Sequence, residues 1–433
     1  MLAAGLSGIT ASNSQSNLPR PSAGCDVCAH AKAEYCATFP ASTVCRTECG
    51  FEFDAAAGLC KESGTVIGHS DGLSSPVIGG SGKFRYQYMP DLLRPPPGAA
   101  IVNAHGLVVD EHENIILTYQ NDGKDPHCLI SWSPDGTNGT FVSKDSPGLC
   151  DGVPHGLKIT SEADGSQYLY HANNRQKLAK TRLDGSTVWL VDGPFGQDMA
   201  CTPSTCPNAS CTCTDGKAPY IPTWFATPPN SPFIYLCDGY GSDRVFAFEA
   251  STGHFMNRTW GGRSPAGLHP GVTAARQQPH GLFMENHGCT YDPRPTTEPN
   301  TIVVSDRRNM RFEFFHYDPK SVETFDWYHS VDMSSSLGPD TLPCNMRMTH
   351  GAKFDPSHEG RSIVPDLNGP VAVLDASHRV ISVVNVSVLL AAEQHKHPHD
   401  AIFLKNGDMV VATWAPGRVS YWKHLPTDGD AAA

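Results

Sequence analysis

A short phrase that recurs along the chain constrains the fold more than any other feature of the sequence. Each copy starts with a small residue or proline, continues with histidine and then glycine or aspartate, and leads into an alternating apolar run. The five histidines of these copies are His105, His155, His280, His350 and His399. Pro222-Thr223-Trp224-Phe225 stands where a sixth copy would fall. The phrase therefore predicts six equivalent structural units.

A second strand-like run follows each copy, as at residues 114–119 and 301–305. The spacing fits four-stranded propeller blades of about 40–50 residues each, with insertions in the longer intervals. The 40 glycines and 35 prolines also favour short strands and turns over long helices. We therefore predict an all-β chain in which residues 84–424 form one six-bladed β-propeller. The alternating aromatics Phe84, Tyr86 and Tyr88 are expected to add the last strand of the final blade and to close the ring.

Cysteines are concentrated outside these repeats. Six of the 15 precede the propeller, between Cys25 and Cys60, and four crowd the insertion Cys201–Cys213. Such clustering favours disulfides formed in an oxidising compartment, with a zinc module as the alternative for the first group. We expect residues 1–24 to be a disordered or processed leader and residues 25–66 a disulfide-bonded segment of undetermined connectivity. Four glycosylation sequons agree with a secreted or secretory-pathway lumenal protein and begin at Asn138, Asn208, Asn257 and Asn385.

The charge of the chain excludes some classes of partner. The formal net charge is −12, and no cluster of lysine and arginine could neutralise a nucleic-acid backbone. No apolar run approaches the ~20 residues that a membrane-spanning helix needs. We therefore expect a small-molecule or peptide substrate, and neither a nucleic-acid partner nor a membrane span.

The repeated histidines predict a metal site. In a propeller the residues that open the innermost strands lie near the central axis, so the five imidazoles are expected to meet at one end of the channel. Neutral imidazoles are common ligands of divalent metals, and three of them with one open position is a frequent arrangement in catalytic zinc sites. The alternative is a set of turn histidines that hydrogen-bond to neighbouring strands.

Four segments in this order resemble the peptidyl-hydroxyglycine alpha-amidating lyases, which are NHL-type six-bladed propellers. The segments are Val153-Pro-His-Gly-Leu157, Cys237-Asp-Gly-Tyr-Gly-Ser-Asp-Arg-Val245, Gln278-Pro-His-Gly-Leu282 with Val304-Ser-Asp-Arg307 behind it, and His397-Pro-His-Asp-Ala-Ile402. The resemblance, which covers about residues 100–420, implies cleavage of the C–N bond of peptides ending in α-hydroxyglycine to give a peptide amide and glyoxylate. It also implies that the hydroxylated peptide comes from a monooxygenase on another chain.

The resemblance assigns roles to individual residues. It implies that His155, His280 and His399 bind a catalytic Zn²⁺ ion. It implies that Asp400 and the carbonyl of Leu157 bind a structural Ca²⁺ ion, with the carbonyl of His105 as a further calcium ligand. Tyr240 matches the catalytic tyrosine, a general base in this interpretation, and Arg307 matches an arginine that faces the substrate carboxylate.

The chain also departs from the family pattern. Gln120 stands where the family has a second active-site arginine, and His105 and His350 add imidazoles that the family lacks. These three residues are therefore possible additional metal or substrate contacts. They leave three functions open, namely the metal-dependent lyase, a propeller metallohydrolase for esters or lactones, and a non-catalytic NHL-type binding module.

Overall fold

The computed structural model describes residues 51–54, 59–62, 76–142, 148–162, 165–192, 220–229, 231–265, 271–294, 298–348, 360–390 and 395–425. The expected leader, most of the cysteine-rich segment, the Cys201–Cys213 insertion and His350 lie outside these ranges. No helix in the described ranges is long and apolar enough to cross a membrane.

The strands form one separate hairpin and six further sheets. The hairpin consists of β1 (Phe51–Asp54) and β2 (Leu59–Glu62), and it is followed by β3 (Ile78–Ser81) and β4 (Phe84–Tyr88). Blade 1 contains β5 (Asn103–Val109), β6 (Ile115–Gln120), β7 (Leu129–Trp132) and β8 (Thr140–Phe141). Blade 2 contains β9 (Pro154–Ser161), β10 (Gln167–Asn173), β11 (Lys177–Arg182) and β12 (Thr187–Asp192). Blade 3 contains β13 (Trp224–Ala226), β14 (Phe233–Cys237), β15 (Arg244–Glu249) and β16 (Phe255–Gly261).

The second half of the chain repeats this pattern. Blade 4 contains β17 (Asn286–Asp292), β18 (Thr301–Asp306), β19 (Arg311–Asp318) and β20 (Ser321–Asp332). Blade 5 contains β21 (Arg347–Met348), β22 (Ser362–Pro365), β23 (Pro370–Leu374) and β24 (Val380–Asn385). Blade 6 contains β25 (Pro398–Phe403), β26 (Met409–Thr413) and β27 (Arg418–Leu425), to which β4 and β3 are added. The short helices are α1 (Val272–Arg276), α2 (Ser334–Leu337) and α3 (Val386–Leu389), and Arg307–Asn309 form one turn of 3₁₀ helix.

Each blade is an antiparallel sheet, and in blades 1 to 5 the strands follow one another in chain order. The first strands of blades 1 to 4 contact one another in turn around the axis, β25 of blade 6 contacts β5 of blade 1, and blade 5 contacts β25 through its second strand, β22. In blade 6, β4 pairs with β27 in a register that sets Tyr88 opposite Trp422, so a strand near the start of the described chain completes the last blade. The chain is thus an all-β, six-bladed propeller, as predicted.

Apolar side chains fill the spaces between the blades. Because side chains alternate along a strand, the first and second strands of a blade pack against both neighbouring blades. In β6, for example, Leu117 belongs to the cluster shared with blade 6, whereas Ile116 belongs to the cluster shared with blade 2. The described residues contain six such clusters, one at each interface between blades. Burial on both faces explains why the second strands of the repeats are almost continuously apolar.

Two disulfides lie within the described residues. Cys237 of blade 3 is bonded to Cys289 of blade 4, and Cys128 is bonded to Cys150 between blades 1 and 2. Cys344 is buried and is the free cysteine of the described residues. Two disulfides agree with folding in an oxidising compartment.

Candidate metal and proton-transfer site

Four imidazoles meet at the axis of the propeller, from His105, His155, His287 and His399. The ring centroids of His105 and His155 are 4.5 Å apart, and those of His155 and His399 are 4.7 Å apart. The ring of His287 lies 4.9 Å from that of His155 and 4.6 Å from that of His399. Each of the four residues is at most 1% exposed. Blades 1, 2, 4 and 6 each contribute one ring to this imidazole cluster.

A β-bulge turns each imidazole toward the axis. In blade 1, His105 and Gly106 lie together between residues that pair with Tyr119 and Leu117, so that two residues oppose one. The pairing of β9, β17 and β25 shifts in the same way at the histidine of each strand. A bulge re-aims one side chain without ending the strand. The bulges therefore explain why the histidines point into the channel while the residues after them pack between blades.

Glycine follows three of the four histidines because the backbone of the next blade passes very close. A Cβ atom on Gly106 would lie 2.7 Å from the backbone nitrogen of Leu157, and one on Gly288 would lie 2.7 Å from the carbonyl of Cys344. Backbone would have to move in either case. The His-Gly phrase thus combines a side chain that faces the axis with a position that only glycine fits.

Hydrogen bonds leave the outer ring nitrogens available. The Nδ1 atom of His155 lies 2.9 Å from the carbonyl oxygen of Thr223, and that of His287 lies 2.9 Å from the carbonyl oxygen of Cys344. A carbonyl only accepts, so Nδ1 carries the proton in both rings and Nε2 carries a lone pair. The Nε2 atoms of all four histidines are buried without a hydrogen-bond partner. Metal-bound histidines are typically held by this kind of Nδ1 contact.

The spacing of three of these histidines suits a metal ion. Donor atoms from His105, His155 and His399 all lie within 4.8 Å of one another. Two zinc–nitrogen bonds of ~2.1 Å span at most ~4.2 Å, so small rotations of the rings would allow all three to bind one ion. The donor set is entirely imidazole, which suits zinc better than a hard cation such as calcium.

Burial keeps the cluster neutral. Burial is the main cause, and the positive charge of Arg307 a smaller one, of the lowering of the pKa of His155 from 6.5 to about 3. The pKa values of His105, His287 and His399 are well below the usual value, also because of burial and then of neighbouring charges. The rings therefore offer lone pairs rather than protons near neutral pH.

Tyr240 lies against one side of the imidazole cluster. Its ring centroid is 5.3 Å from that of His155 and 5.5 Å from that of His287. Arg307 donates to the Tyr240 hydroxyl at 3.3 Å and to a carboxylate oxygen of Glu285 at 2.7 Å. Burial raises the pKa of Tyr240, whereas Arg307 opposes that change. The Tyr240 hydroxyl thus lies beside the imidazoles, next to a guanidinium that favours its ionised form.

Arg307 does not offer a free guanidinium. Its side chain is only 4% exposed, and it forms an ion pair with Glu285. A carboxylate that approached Arg307 would have to compete with Glu285. The role of Arg307 as an anchor for a substrate carboxylate therefore stays a prediction, and the observed contacts are those of a residue that orients Tyr240.

Gln120 lines an open cleft of about 990 Å³ on the same face of the propeller. Its pairing partner, Asn103, lies two residues before His105. The charged residues of the cleft are three acids and two bases, Asp122, Asp125, Asp151, Lys124 and Arg175. The residues that line this cleft do not include the four histidines of the cluster, so a contact between Gln120 and a substrate or metal stays a prediction.

His280 is not in the imidazole cluster, which corrects its expected position. Its side chain is 44% exposed, its Nδ1 lies 2.8 Å from Glu313, and its ring stacks on Trp327 at 3.9 Å. Arg311 holds this turn by donating to the carbonyls of Gln278, Pro279 and Leu282. The turn precedes the inner strand of blade 4, so His280 lies before the bulge and not on it.

His287 occupies the position near the axis that was expected for His280. The sequence contains a signal for it, since Asn286-His287-Gly288-Cys289 also reads as a small residue, histidine, glycine and an apolar residue. Two candidate phrases thus occur seven residues apart, and local sequence does not decide between them. The pairing of β17 with β18, which sets Asn286 opposite Asp306, decides it.

The expected calcium site is also corrected. The Asp400 carboxylate and the carbonyl of Leu157 do converge, but both accept hydrogen bonds from Arg347. The carbonyl of His105 lies 3.4 Å from Nδ1 of His399, and the blade 1 carbonyl that meets Arg347 is that of Leu107. A guanidinium already occupies the centre of these oxygens, so the donors do not fit a calcium ion.

The remaining two blades contribute no described imidazole to the axis. Trp224 of blade 3 is fully buried, and its ring lies 5.9 Å from those of His155 and His399. In blade 5 the stretch beside His287 is Cys344-Asn345, and Asn345 is 1% exposed. His350, expected at this position, lies outside the described residues.

Solved structures resemble this chain at low sequence identity. No protein-family model and no curated protein matches the sequence. The solved structure of a gluconolactonase from Xanthomonas campestris aligns with 83% of this chain and 94% of that chain, at 11% sequence identity and a TM-score of 0.47. This level of similarity transfers no activity or residue role. The chain is a six-bladed β-propeller on the evidence of its own six sheets, with a buried imidazole cluster at its axis.

Proposed function

We propose that this protein is a metal-dependent enzyme whose metal is bound by imidazoles at the propeller axis. One observation carries the proposal: four Nε2 atoms are buried together without a hydrogen-bond partner, beside a tyrosine that is hydrogen-bonded to an arginine. Leaving a buried polar nitrogen unpaired costs ~1–3 kcal/mol, so a group of four is disfavoured unless a ligand uses them. Of the two expected ions, Zn²⁺ and Ca²⁺, an all-imidazole donor set suits Zn²⁺ better.

His105, His155 and His399 would hold the ion, and His287 would add a fourth imidazole ligand through its unpaired Nε2. When bound, such an ion polarises a substrate oxygen or water. Tyr240 would exchange a proton with the reacting oxygen, and Arg307 would stabilise its phenolate form. Glu285 would fix Arg307 in that orientation through their ion pair.

Hydrolysis of a neutral ester or lactone is the reaction that the charges around this centre favour. The cleft beside Gln120 carries three acids and two bases, and Arg307 is already paired with Glu285. A substrate without a carboxylate would need no further cation there. In this reaction water adds to the carbonyl carbon, the acyl C–O bond breaks, and the leaving oxygen takes up a proton, for which Tyr240 is the nearest described phenol.

Cleavage of an α-hydroxyglycine peptide is the second candidate. His155, His399, Tyr240 and Arg307, which the resemblance to the amidating lyases singles out, all belong to one site, and His287 adds a third family-like imidazole. In this reaction the carbinol hydroxyl loses its proton, the C–N bond breaks, and the amide nitrogen gains a proton. The substrate would come from a hydroxylating monooxygenase on another chain.

A substrate panel tests the proposal and separates the two reactions. The metal-free and zinc-loaded proteins are assayed for acid release from a δ-lactone and an aryl ester, and for glyoxylate release from a peptide ending in α-hydroxyglycine. We expect turnover of the lactone or ester that chelation abolishes. Glyoxylate release alone would establish the lyase instead. Full activity after complete metal removal would contradict the metal-dependent mechanism, and no bound metal with no turnover would favour a binding module.

Tyr240→Phe tests the proton-transfer role. It removes one hydroxyl, and we expect kcat to fall ~10²–10⁴-fold with unchanged zinc affinity. Tyr235→Phe is the matched control, because Tyr235 lies in the same blade and its hydroxyl is buried without a partner away from the cluster. Equal activity of the two variants would exclude Tyr240 from the reaction.

A further inference from the structure

Arg347 joins four blades near the propeller axis. Its side chain is 11% exposed and comes from the inner strand of blade 5. Its Nη2 donates to the carbonyl of Leu107 in blade 1 at 2.8 Å and to the carbonyl of Leu157 in blade 2 at 3.2 Å. Its Nε and Nη2 also donate to the two carboxylate oxygens of Asp400 in blade 6, at 3.0 and 2.5 Å. One guanidinium thus satisfies acceptors on three other blades.

These acceptors are the kind that would otherwise bind a hard cation. A carboxylate with both oxygens available and two convergent carbonyls is a typical part of a Ca²⁺ site. Here the fork of Arg347 fills the same space, and Asp400 also accepts from the backbone nitrogen of Leu107 at 2.8 Å. We infer that Arg347 is a built-in structural cation that replaces a bound metal ion at the centre of the propeller.

The charges around this point support replacement rather than coexistence. Asp400 is the acidic group bonded to Arg347, and the buried amine of Lys158 is close enough to both to interact electrostatically. A Ca²⁺ ion added beside Arg347 would put three positive charges against one carboxylate, before Lys158 is counted. Repulsion in a poorly hydrated interior makes that arrangement unfavourable.

Arg347 also holds the strands that carry three of the candidate ligands. Leu107 lies two residues after His105, Leu157 lies two residues after His155, and Asp400 follows His399. The guanidinium lies 5.3 Å from the ring centre of Trp224, whose other neighbours include His155 and His399. Arg347 is therefore a positioning residue for the imidazole cluster, a part of the inference that rests on the proposed metal centre.

The calcium experiment does not depend on the imidazoles. Thermal unfolding of the wild type and Arg347→Ala is measured in EGTA and in millimolar Ca²⁺. Truncation exposes the Asp400 carboxylate and two carbonyls in an arginine-sized cavity, so we expect Ca²⁺ to raise the midpoint of the variant by about 5 °C and to leave the wild type unchanged. Equal effects of Ca²⁺ on both proteins, or no effect on the folded variant, would overturn the inference.

Binding of Co²⁺, followed by its visible absorption, tests the positioning role. Arg347→Lys keeps the charge but cannot bridge the same acceptors, so it should bind Co²⁺ roughly 10–100-fold more weakly and with an altered spectrum. Arg347→Lys also provides a second variant of Arg347 in case Arg347→Ala does not fold. Arg294→Ala is the matched control, since Arg294 is another buried guanidinium, paired with Asp292 and the carbonyl of Gly360. It should lose stability without a change in Co²⁺ affinity.

The calcium and Co²⁺ experiments separate failure of the inference from failure of the proposed metal centre. If the wild type binds no Co²⁺, the proposed metal centre is wrong, and the calcium result still decides whether Arg347 replaces a cation. If the wild type binds Co²⁺ and both lysine and control variants keep its affinity and spectrum, the positioning role is wrong.

Discussion

Replacing His287 by asparagine is the sharpest test of the imidazole cluster. The Nδ2 group of asparagine lies close to the position of the histidine Nδ1, so it can still donate to the carbonyl of Cys344, which now lies 2.9 Å from Nδ1. The variant therefore deletes the unpaired Nε2 while it keeps the existing hydrogen bond. His280→Asn makes the same chemical change at a residue whose Nδ1 contacts Glu313.

The structure sets the size of the two effects. In the metal-free protein, the void left by the smaller side chain costs ~1–3 kcal/mol, and removal of an unpaired buried nitrogen returns a similar amount. The free energy of unfolding should thus change little. Loss of one imidazole should weaken zinc binding roughly 100-fold, which equals ~2.7 kcal/mol of lost stabilisation at saturating metal. The unfolding midpoint of the zinc-loaded variant should fall by about 5 °C.

Calorimetric titration of EDTA-treated protein with Zn²⁺ and thermal unfolding with and without the metal provide the readouts. His280→Asn should bind zinc within about twofold of the wild type, because His280 lies at the surface of blade 4, outside the imidazole cluster. Wild-type zinc affinity in His287→Asn would refute the assignment of His287 as a zinc ligand. A larger loss of zinc affinity in His280→Asn would show that His280 is the ligand instead.

Two further predictions concern acidity and the disulfides. The metal-free protein should lose stability as the pH falls below 6.5, because the unfolded chain takes up protons that the buried rings do not. His155, whose pKa is lowered to about 3, accounts for roughly 2 kcal/mol between pH 7.5 and pH 5. Urea unfolding at both pH values should show a dependence smaller by that amount in His155→Gln, and an unchanged dependence would contradict the neutral buried ring. Replacing Cys237 and Cys289 by serine opens a loop with a sequence separation of 52 and should lower the free energy of unfolding by ~4 kcal/mol. It should also weaken zinc binding, because this disulfide joins the blade of Tyr240 to the strand of His287. The Cys128/Cys150 double serine variant should lose ~3 kcal/mol for its separation of 22 and keep zinc affinity, so equal zinc affinities in the two variants would contradict the link.

Local sequence was enough to predict the fold and part of the cluster. Strand alternation and the repeated phrase report on packing within a few residues, and they identify His155 and His399 because each phrase begins an inner strand directly. His105 also lies at the axis. His280 was misplaced because a turn held by Arg311 carries the same phrase shortly before the strand, and only the pairing with β18 distinguishes the two copies.

The partners of the charged residues could not be predicted. Arg347 meets Leu107, Leu157 and Asp400, which are 240, 190 and 53 residues away in the sequence. Glu285 was not identified as the partner of Arg307, although the two residues are only 22 positions apart. Such contacts depend on how blades face one another across the channel, and no periodicity along the chain records that arrangement.

The strand exchange in blade 6 has a consequence for biogenesis. The strand that carries His399, β25, pairs with β26, which pairs with β27, and the sheet is complete only when β4, made more than 300 residues earlier, joins β27. On the ribosome, the nascent chain holds His105 and His155 long before their partner emerges from the exit tunnel. A metal that needs all three imidazoles would therefore be captured only after the strand of His399 has been made, so metal loading would mark molecules in which blade 6 has joined blade 1.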